Sequence, residues 1–180
     1  IVINFQDITI RKAATEKLLK SEEKYRSVVA SLQEGVIVQN KQAEIIDANQ
    51  SALDILGLTL DELQGRSPLD VRWRAIHEDG SDYPGDTHPS FRTLATGESV
   101  TGDVMGIHKP DGSLCWVLIN SEPLYKDGES SPDGVVESFT DITTRKLAEA
   151  EIARSYHRFQ IVSKATNDGI WDYDFGSKTV

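Results

Sequence analysis

The 180 residues carry 19 basic and 29 acidic side chains, a net charge of −10, with four scattered His and a single Cys. That balance offers no basic stripe for a phosphate backbone, which speaks against nucleic acid and against direct contact with an anionic membrane. One Cys builds no internal disulfide framework, and no apolar run approaches the eighteen or so residues of a membrane span. A cytoplasmic segment is expected, within a parent that could be membrane-anchored elsewhere. The first residue is not Met and the last, FGSKTV, stop inside a strand-like pattern, as expected of an excerpt from a longer multidomain protein.

The segment IVINF reads as a short strand, and FQDITIRK (Phe5–Lys12) leads from it into a charged helical pattern, with Thr9 at the N-cap position. The same passage returns as FTDITTRK at Phe139–Lys146, after the strand-like GVVESF. The correspondence continues without a gap: Ala14 meets Ala148, Ser21 meets Ser155, Val28 meets Val162 and Gly35 meets Gly169. A repeat of this period is domain-sized, so the joint between strand and helix is a structural device used twice. The expected partition is 1–9 as the tail of a preceding unit, 10–30 as a linker helix and 31–143 as one complete domain. A second linker helix at 144–163 and the start of a following unit at 164–180 complete it.

Within the first linker, Ala14, Leu18, Ser21, Tyr25 and Val28 fall on a heptad seam, matched in the second by Ala148, Ile152, Ser155, Phe159 and Val162. Two heptads are short for a self-sufficient coiled coil. The early part of each helix is therefore expected to pair with a second copy and the later part to pack on its own domain. GVIVQN and EIIDAN follow as a hairpin turning at Lys41–Ala43. Asn49 then caps a short helix that stops at Gly57, and Thr59, with Glu62 in the capping-box position, opens another that stops at Gly65. Ser67–Pro89 reads as a long loop, and SFRTLATG as a helix turning Phe91 and Leu94 or Ala95 inward. Two long strands flank the turn Pro110–Asp111–Gly112, and GVVESFTDI supplies the last strand. The sum is an α+β domain, a five-stranded antiparallel sheet with short helices over one face.

SEEKYRSVVASLQEGVIVQN, IIDANQSALDILGLTLDELQG, KPDGSLCWVLINSEPLY and VVESFTDITTRKLAEAE together resemble a PAS sensor domain, of the kind repeated in tandem in bacterial signalling proteins. The resemblance spans about Ser21 to Glu151, and its most specific marks are Asn49, Ala52 and Gly57 followed by the D-I-T-x-R-K ending. It implies strand order 2-1-5-4-3, a pocket between sheet and helices, and dimerisation through the flanking helices. Parents of such domains are typically sensor histidine kinases, diguanylate cyclases or phosphodiesterases, whose output domains act in cis.

Candidate chemistry is sparse. Light-sensing relatives hold a reactive Cys in an N-C-R-F-L-type turn beside flavin, whereas Cys115 lies in the strand-like SLCWV and reads as a packing residue. Haem-binding relatives carry the ligating His on the long helix; SFRTLATG has none, His88 only precedes it, and His108 reads as a solvated strand residue. No cofactor is required, and haem and flavin remain rival readings as a redox sensor. His77, Glu78, Asp79, Asp82, Asp86 and His88 crowd one acidic loop without the spacing of a Ca²⁺ site, so a solvated loop is expected rather than a metal site. Trp73, Phe91, Met105, Ile107, Trp116 and Leu118 are expected to converge between helices and sheet, lining a small-molecule pocket or filling a core. Asp141, Thr143 and Arg145 form the expected signal-coupling joint. No nucleophile elbow, P-loop or metalloprotease motif occurs, so no catalysis is assigned to these residues. A regulatory module, or else a ligand-free coupling and dimerisation spacer, is the expected function.

Overall fold

A computed structural model describes residues 5–70 and 72–166; for residues 5–11, 26, 30, 165 and 166 only the backbone course is described. The chain divides after Ile142 into a domain and a separate helical unit. The domain begins with helix α1 (Phe5–Ser31) and then follows the hairpin legible in the sequence, β1 (Gly35–Asn40) and β2 (Ile45–Ala48), paired antiparallel. Asn40 shapes the turn, its side-chain oxygen accepting from the N–H groups of Gln42 (2.9 Å) and Glu44 (3.0 Å).

Two short helices come next, α2 (Gln50–Leu56), bounded by Asn49 and Gly57 as predicted, and α3 (Leu60–Leu63), which opens at Thr59 as predicted but is capped by Gln64, one residue before the expected stop at Gly65. Gly57 ends α2 at φ 67°, a left-handed conformation that costs glycine nothing. Thr59 and Glu62 close a full capping box on α3. A third helix, α4 (Pro89–Thr96), precedes the long strands β4 (Val100–His108), β5 (Leu114–Leu124) and β6 (Gly134–Asp141). The β4–β5 turn forms as expected: Lys109 N–H reaches Ser113 O at 2.8 Å, and Asp111 accepts from the Ser113 backbone at 2.8 Å.

The sheet has six strands rather than five, in the order β2-β1-β6-β5-β4-β3, all neighbours antiparallel. The addition is β3 (Ala75–Ile76), two residues of the long loop that pair with Ile107 and Gly106. Without it the edge of β4 would carry unpaired backbone groups, and a passing loop segment satisfies them. The five long strands keep the expected order. Ile37, Ile45, Leu56, Leu63, Met105, Ile107, Val117, Ile119 and Phe139 meet between the sheet and the short helices as one core.

The chain start differs from the expectation. Helix α1 is already formed at Phe5, so Thr9 lies inside it rather than at an N-cap, and residues 1–4 lie outside the described residues. In the second copy the strand forms because β1 and β5 flank β6 and take its backbone bonds. In the first copy residues 5–12 lie within α1, where the backbone N–H and C=O groups are satisfied inside the helix. The start of a following unit expected at 164–180 lies almost wholly outside the described residues.

Asn49 ties the domain together. Its side-chain oxygen accepts from Ala52 N–H and Val36 N–H, both at 2.9 Å, capping α2 and fixing the start of β1. Its amide nitrogen donates to Val29 O (3.2 Å) in α1 and to Glu34 O (3.0 Å) in the connection. Asn49→Ala should lower unfolding free energy by about 2–4 kcal/mol, the loss of a cap plus stranded partners. Asn49→Asp keeps the two accepted bonds and loses the two donated ones, so urea denaturation should place it between wild type and Asn49→Ala. Equal loss in both variants would show that the cap contributes nothing.

Candidate functional site

Side chains alternate across a strand, and on three strands the inward set includes a polar residue. On β1 the buried series is Gly35, Ile37, Gln39; on β5 it is Cys115, Val117, Ile119, Ser121; on β6 it is Val135, Glu137, Phe139. Register places Ile37 and Ser121 on either side of Glu137. Helix α4 covers this corner with Pro89, Ser90 and Thr93, its three buried residues. The result is a polar belt beneath α4, in which Gln39 is 3% exposed, Ser90 1% and Glu137 7%.

Beside the belt lies a cavity of about 60 Å³. Its apolar wall includes Ile37, Ile45, Leu56, Trp73, Met105, Ile107 and Phe139; its polar end is Gln39, His88, Ser90 and Glu137. Gly35 shapes that wall, because a methyl group there would overlap the ring of Phe139. Gln39 Nε2 donates to Glu137 Oε2 at 3.2 Å. Burial pushes the Glu137 carboxyl up to about 7, against the opposing pull of the nearby Ser90 hydroxyl and N–H. Gln39 Oε1, Ser90 Oγ, Thr93 Oγ1 and Ser121 Oγ are buried and make no hydrogen bond of good geometry.

His88 forms the mouth of α4. Its Nε2 lies 3.1 Å from the Tyr83 carbonyl, to which a neutral ring donates, and burial holds its pKa below the usual value. Tyr83 stacks on His77 with ring centroids 3.9 Å apart and meets His88 edge-on at 4.9 Å. The phenol donates to Asp103 (2.9 Å), whose other oxygen accepts from Arg92 (2.9 Å). Burial first, and then Asp103, pushes that phenol up to about 12. The acidic loop is thus pinned to β4 and α4 by an aromatic and charged relay. Asp79 is occupied by Ser81, and among the described residues no three His, Cys, Asp or Glu side chains stand together as metal ligands.

The predicted pocket residues separate by face. Trp73, Met105 and Ile107 line the cavity, whereas Phe91, Trp116 and Leu118 do not. On β5 the buried phase is Cys115, Val117 and Ile119, one residue out of step with Trp116 and Leu118, which lie half-buried on the opposite face. Trp116 packs there over Gly106, where an added methyl would come within 3.0 Å of its ring. A large aromatic side chain suggested the core face; period-two geometry assigns it the outer one. In α4 the inward positions are Ser90 and Thr93, while Phe91 and Leu94 are half-buried and Ala95 is exposed. Cys115 is a buried strand residue, and His108 is half-buried on β4. The sequence reading missed Gln39, Ser90 and Glu137. The available signal was a carboxylate and an amide in the inward phase of otherwise β-branched strands.

At the proposed joint, Asp141 is the last residue of β6, and Ile142 N–H donates to Trp116 O at 2.8 Å. Thr143 is the first residue of helix α5 (Thr143–Thr166), and Arg145 faces Glu149 of the same helix at 3.8 Å. Among the described residues no helix is long and apolar enough to cross a membrane.

An antiparallel sheet with short helices closing a small cavity on one face defines a sensor-type α+β module. Residues 29–147 match the model of the PAS fold, and the chain belongs to that family. It is 26% identical over 157 residues to the sensor histidine kinase TmoS of Ectopseudomonas mendocina, covering 87% of this chain and 16% of that protein. It is also 36% identical over 66 residues to sporulation kinase E of Bacillus subtilis, covering 37% of this chain and 9% of the kinase. The chain therefore spans less than a fifth of the curated relatives it matches. Among solved structures it resembles the PAS domain of an HTR-like protein from Haloarcula marismortui (TM-score 0.56, 18% identity, 73% of this chain and 99% of that one). A PAS domain from Colwellia psychrerythraea is similar at TM-score 0.52 and 20% identity, over 71% of this chain and 98% of that one. These structural likenesses are of fold. The chain is a PAS sensor module with relatives among signalling kinases.

Glu137 sets a pH dependence. An unfolded Glu titrates near 4.5 and this one near 7, so between those values the folded state holds the extra proton and loses stability as pH rises. The loss amounts to roughly 3 kcal/mol once the folded carboxyl has ionised. His88 works in the opposite sense, its contribution fading as pH falls below the usual imidazole value. Glu137→Gln isolates the carboxyl: its Tm should gain on wild type as pH rises from about 5 to about 8. A Tm difference that does not vary with pH would show that Glu137 does not titrate there.

Proposed function

We propose that this module senses a small molecule in the cavity under α4 and relays its occupancy through the flanking helices to an output domain in cis. The observation that carries the reading is the buried polar end of an otherwise apolar cavity, with polar atoms left unpaired. A core that needed only to be full would use apolar residues there, since each unpaired buried polar group costs about 1–3 kcal/mol. The route out is covalent. Glu137 and Phe139 line the cavity on β6, and the same strand ends at Asp141, two residues before α5 begins. A ligand that favours one sheet arrangement over another would shift the population of helix geometries that Asp141, Thr143 and Arg145 transmit. Asp141→Ala should weaken that transmission and leave cooperative unfolding intact.

The helices supply the partner surface. Leu18, Tyr25 and Val28 on α1 are exposed, as are Ile152, Phe159 and Val162 on α5, each set following the heptad seam. The later part of α1 was expected to pack on its own domain, but Tyr25 and Val28 are exposed, so a second copy of the chain covers the full seams in the proposed dimer. The partition into a preceding unit, one complete domain and a following unit belongs to the same reading, in which the catalytic output lies outside this segment. The output is of histidine kinase or cyclic-di-GMP enzyme type, and the module works in the cytoplasm without nucleic acid.

Native mass spectrometry with an absorption scan tests both halves. The expected result is a colourless dimer carrying a small ligand; a visible chromophore would instead establish haem or flavin sensing. An apo dimer would favour the ligand-free spacer. Replacing Leu18 and Ile152 by Glu should convert dimer to monomer, and a wild-type monomer would overturn the pairing of the helices.

A further inference from the structure

We propose that the cavity selects a small primary or secondary amine, with its cationic nitrogen at Glu137, Gln39 and Ser90 and an apolar body of about half a dozen atoms against Trp73, Met105 and Phe139. The inference rests on the sensory reading above and names the ligand's chemistry. The polar groups at the closed end are biased toward acceptors. Glu137 is a carboxyl, the oxygen of Gln39 is unpaired while its nitrogen is already used on Glu137, and the Ser90 hydroxyl, which makes no hydrogen bond of good geometry, keeps lone pairs that can accept. Each of these residues is more than nine-tenths buried, so bulk water does not satisfy them. No Lys or Arg is among the residues lining the cavity. An anionic ligand would meet a carboxyl without a compensating cation, and a purely apolar one would leave the acceptors stranded. An ammonium brings two or three donors and one positive charge, which is what this set lacks.

Size narrows the class. At roughly 10–15 Å³ per water-sized occupant, the cavity's 60 Å³ holds about four to six such units, the scale of a five-membered ring with one substituent. The other charged groups around the carboxyl fit the same ligand. Asp103 on β4 adds negative potential near Glu137 and is balanced by Arg92, and His88, the residue before α4, is biased toward its neutral form by burial. Ser121, opposite Glu137 on β5, contributes a further unpaired hydroxyl to the belt.

The test compares three probes of matched shape on the 180-residue chain by titration calorimetry at a pH about one unit above neutral: cyclopentylamine, cyclopentanol and cyclopentanecarboxylate. Charge-assisted bonds are stronger than neutral ones, so the amine should bind at least about tenfold more tightly than the alcohol, and the carboxylate should not bind. Glu137→Gln should abolish the preference for the amine over the alcohol. Gln39→Met, which removes the unpaired oxygen at similar volume, should weaken the amine more than the alcohol. Equal binding of amine and alcohol, or a preference for the carboxylate, would overturn the amine assignment while leaving a ligand-binding cavity. Silence from all three probes would overturn the assignment and count against the sensory reading itself.

Discussion

The organisation of this domain depends on one side chain meeting four backbone groups. Asn49 joins the end of α1, the connection at Glu34, the start of β1 and the first turn of α2. An amide alone among common side chains offers both accepting and donating atoms at this reach. An aspartate would cap α2 but could not donate to Val29 and Glu34, and a serine would be too short to serve both sides. Because Asn49 fixes where α2 leaves the hairpin, it also fixes where Ala52 and Leu56 enter the core, and with them one wall of the cavity. Local capping and tertiary placement are here the same interaction.

The opposite wall is built on a conflict. A tightly packed core is stabilised by apolar contact, yet Gln39, Ser90, Thr93, Ser121 and Glu137 are turned into it beneath α4. Their partial pairing lowers stability and raises the carboxyl's pKa, costs that a purely structural role does not require. The belt sits on β6, the strand that continues into α5, so whatever neutralises or completes it acts on the segment leading out of the domain. The loop from His77 to His88 is held to β4 and α4 through Tyr83, Asp103 and Arg92, which gives an irregular segment a defined position.

Much of the architecture was legible from local chemistry. The turn at Lys41–Ala43, the caps at Asn49 and Thr59, the stop at Gly57 and the Pro110–Gly112 turn are each decided within a few residues, so residue type and spacing suffice. The site was legible only in part. Met105, Ile107 and Trp73 were found because apolar residues of a strand and a loop must be buried somewhere. Trp116 and Leu118 were assigned to the wrong face because alternation fixes which residues share a face but not which face is the core. Phe91 failed for a related reason: α4 is only two turns long, and its contacts rather than its most apolar residue decide what turns inward.

Short-range geometry and periodicity settle the order of the main elements and most of their caps and turns. Tertiary structure decided what those elements do together. It recruited Ala75–Ile76 as a sixth strand because β4 had an edge to satisfy, and it placed Thr9 inside α1 rather than at its start. It also set Gln39, Ser90 and Glu137 around one cavity from three separate elements. That meeting depends on strand register and helix placement across about a hundred residues of chain, and no local rule carries information over such a separation.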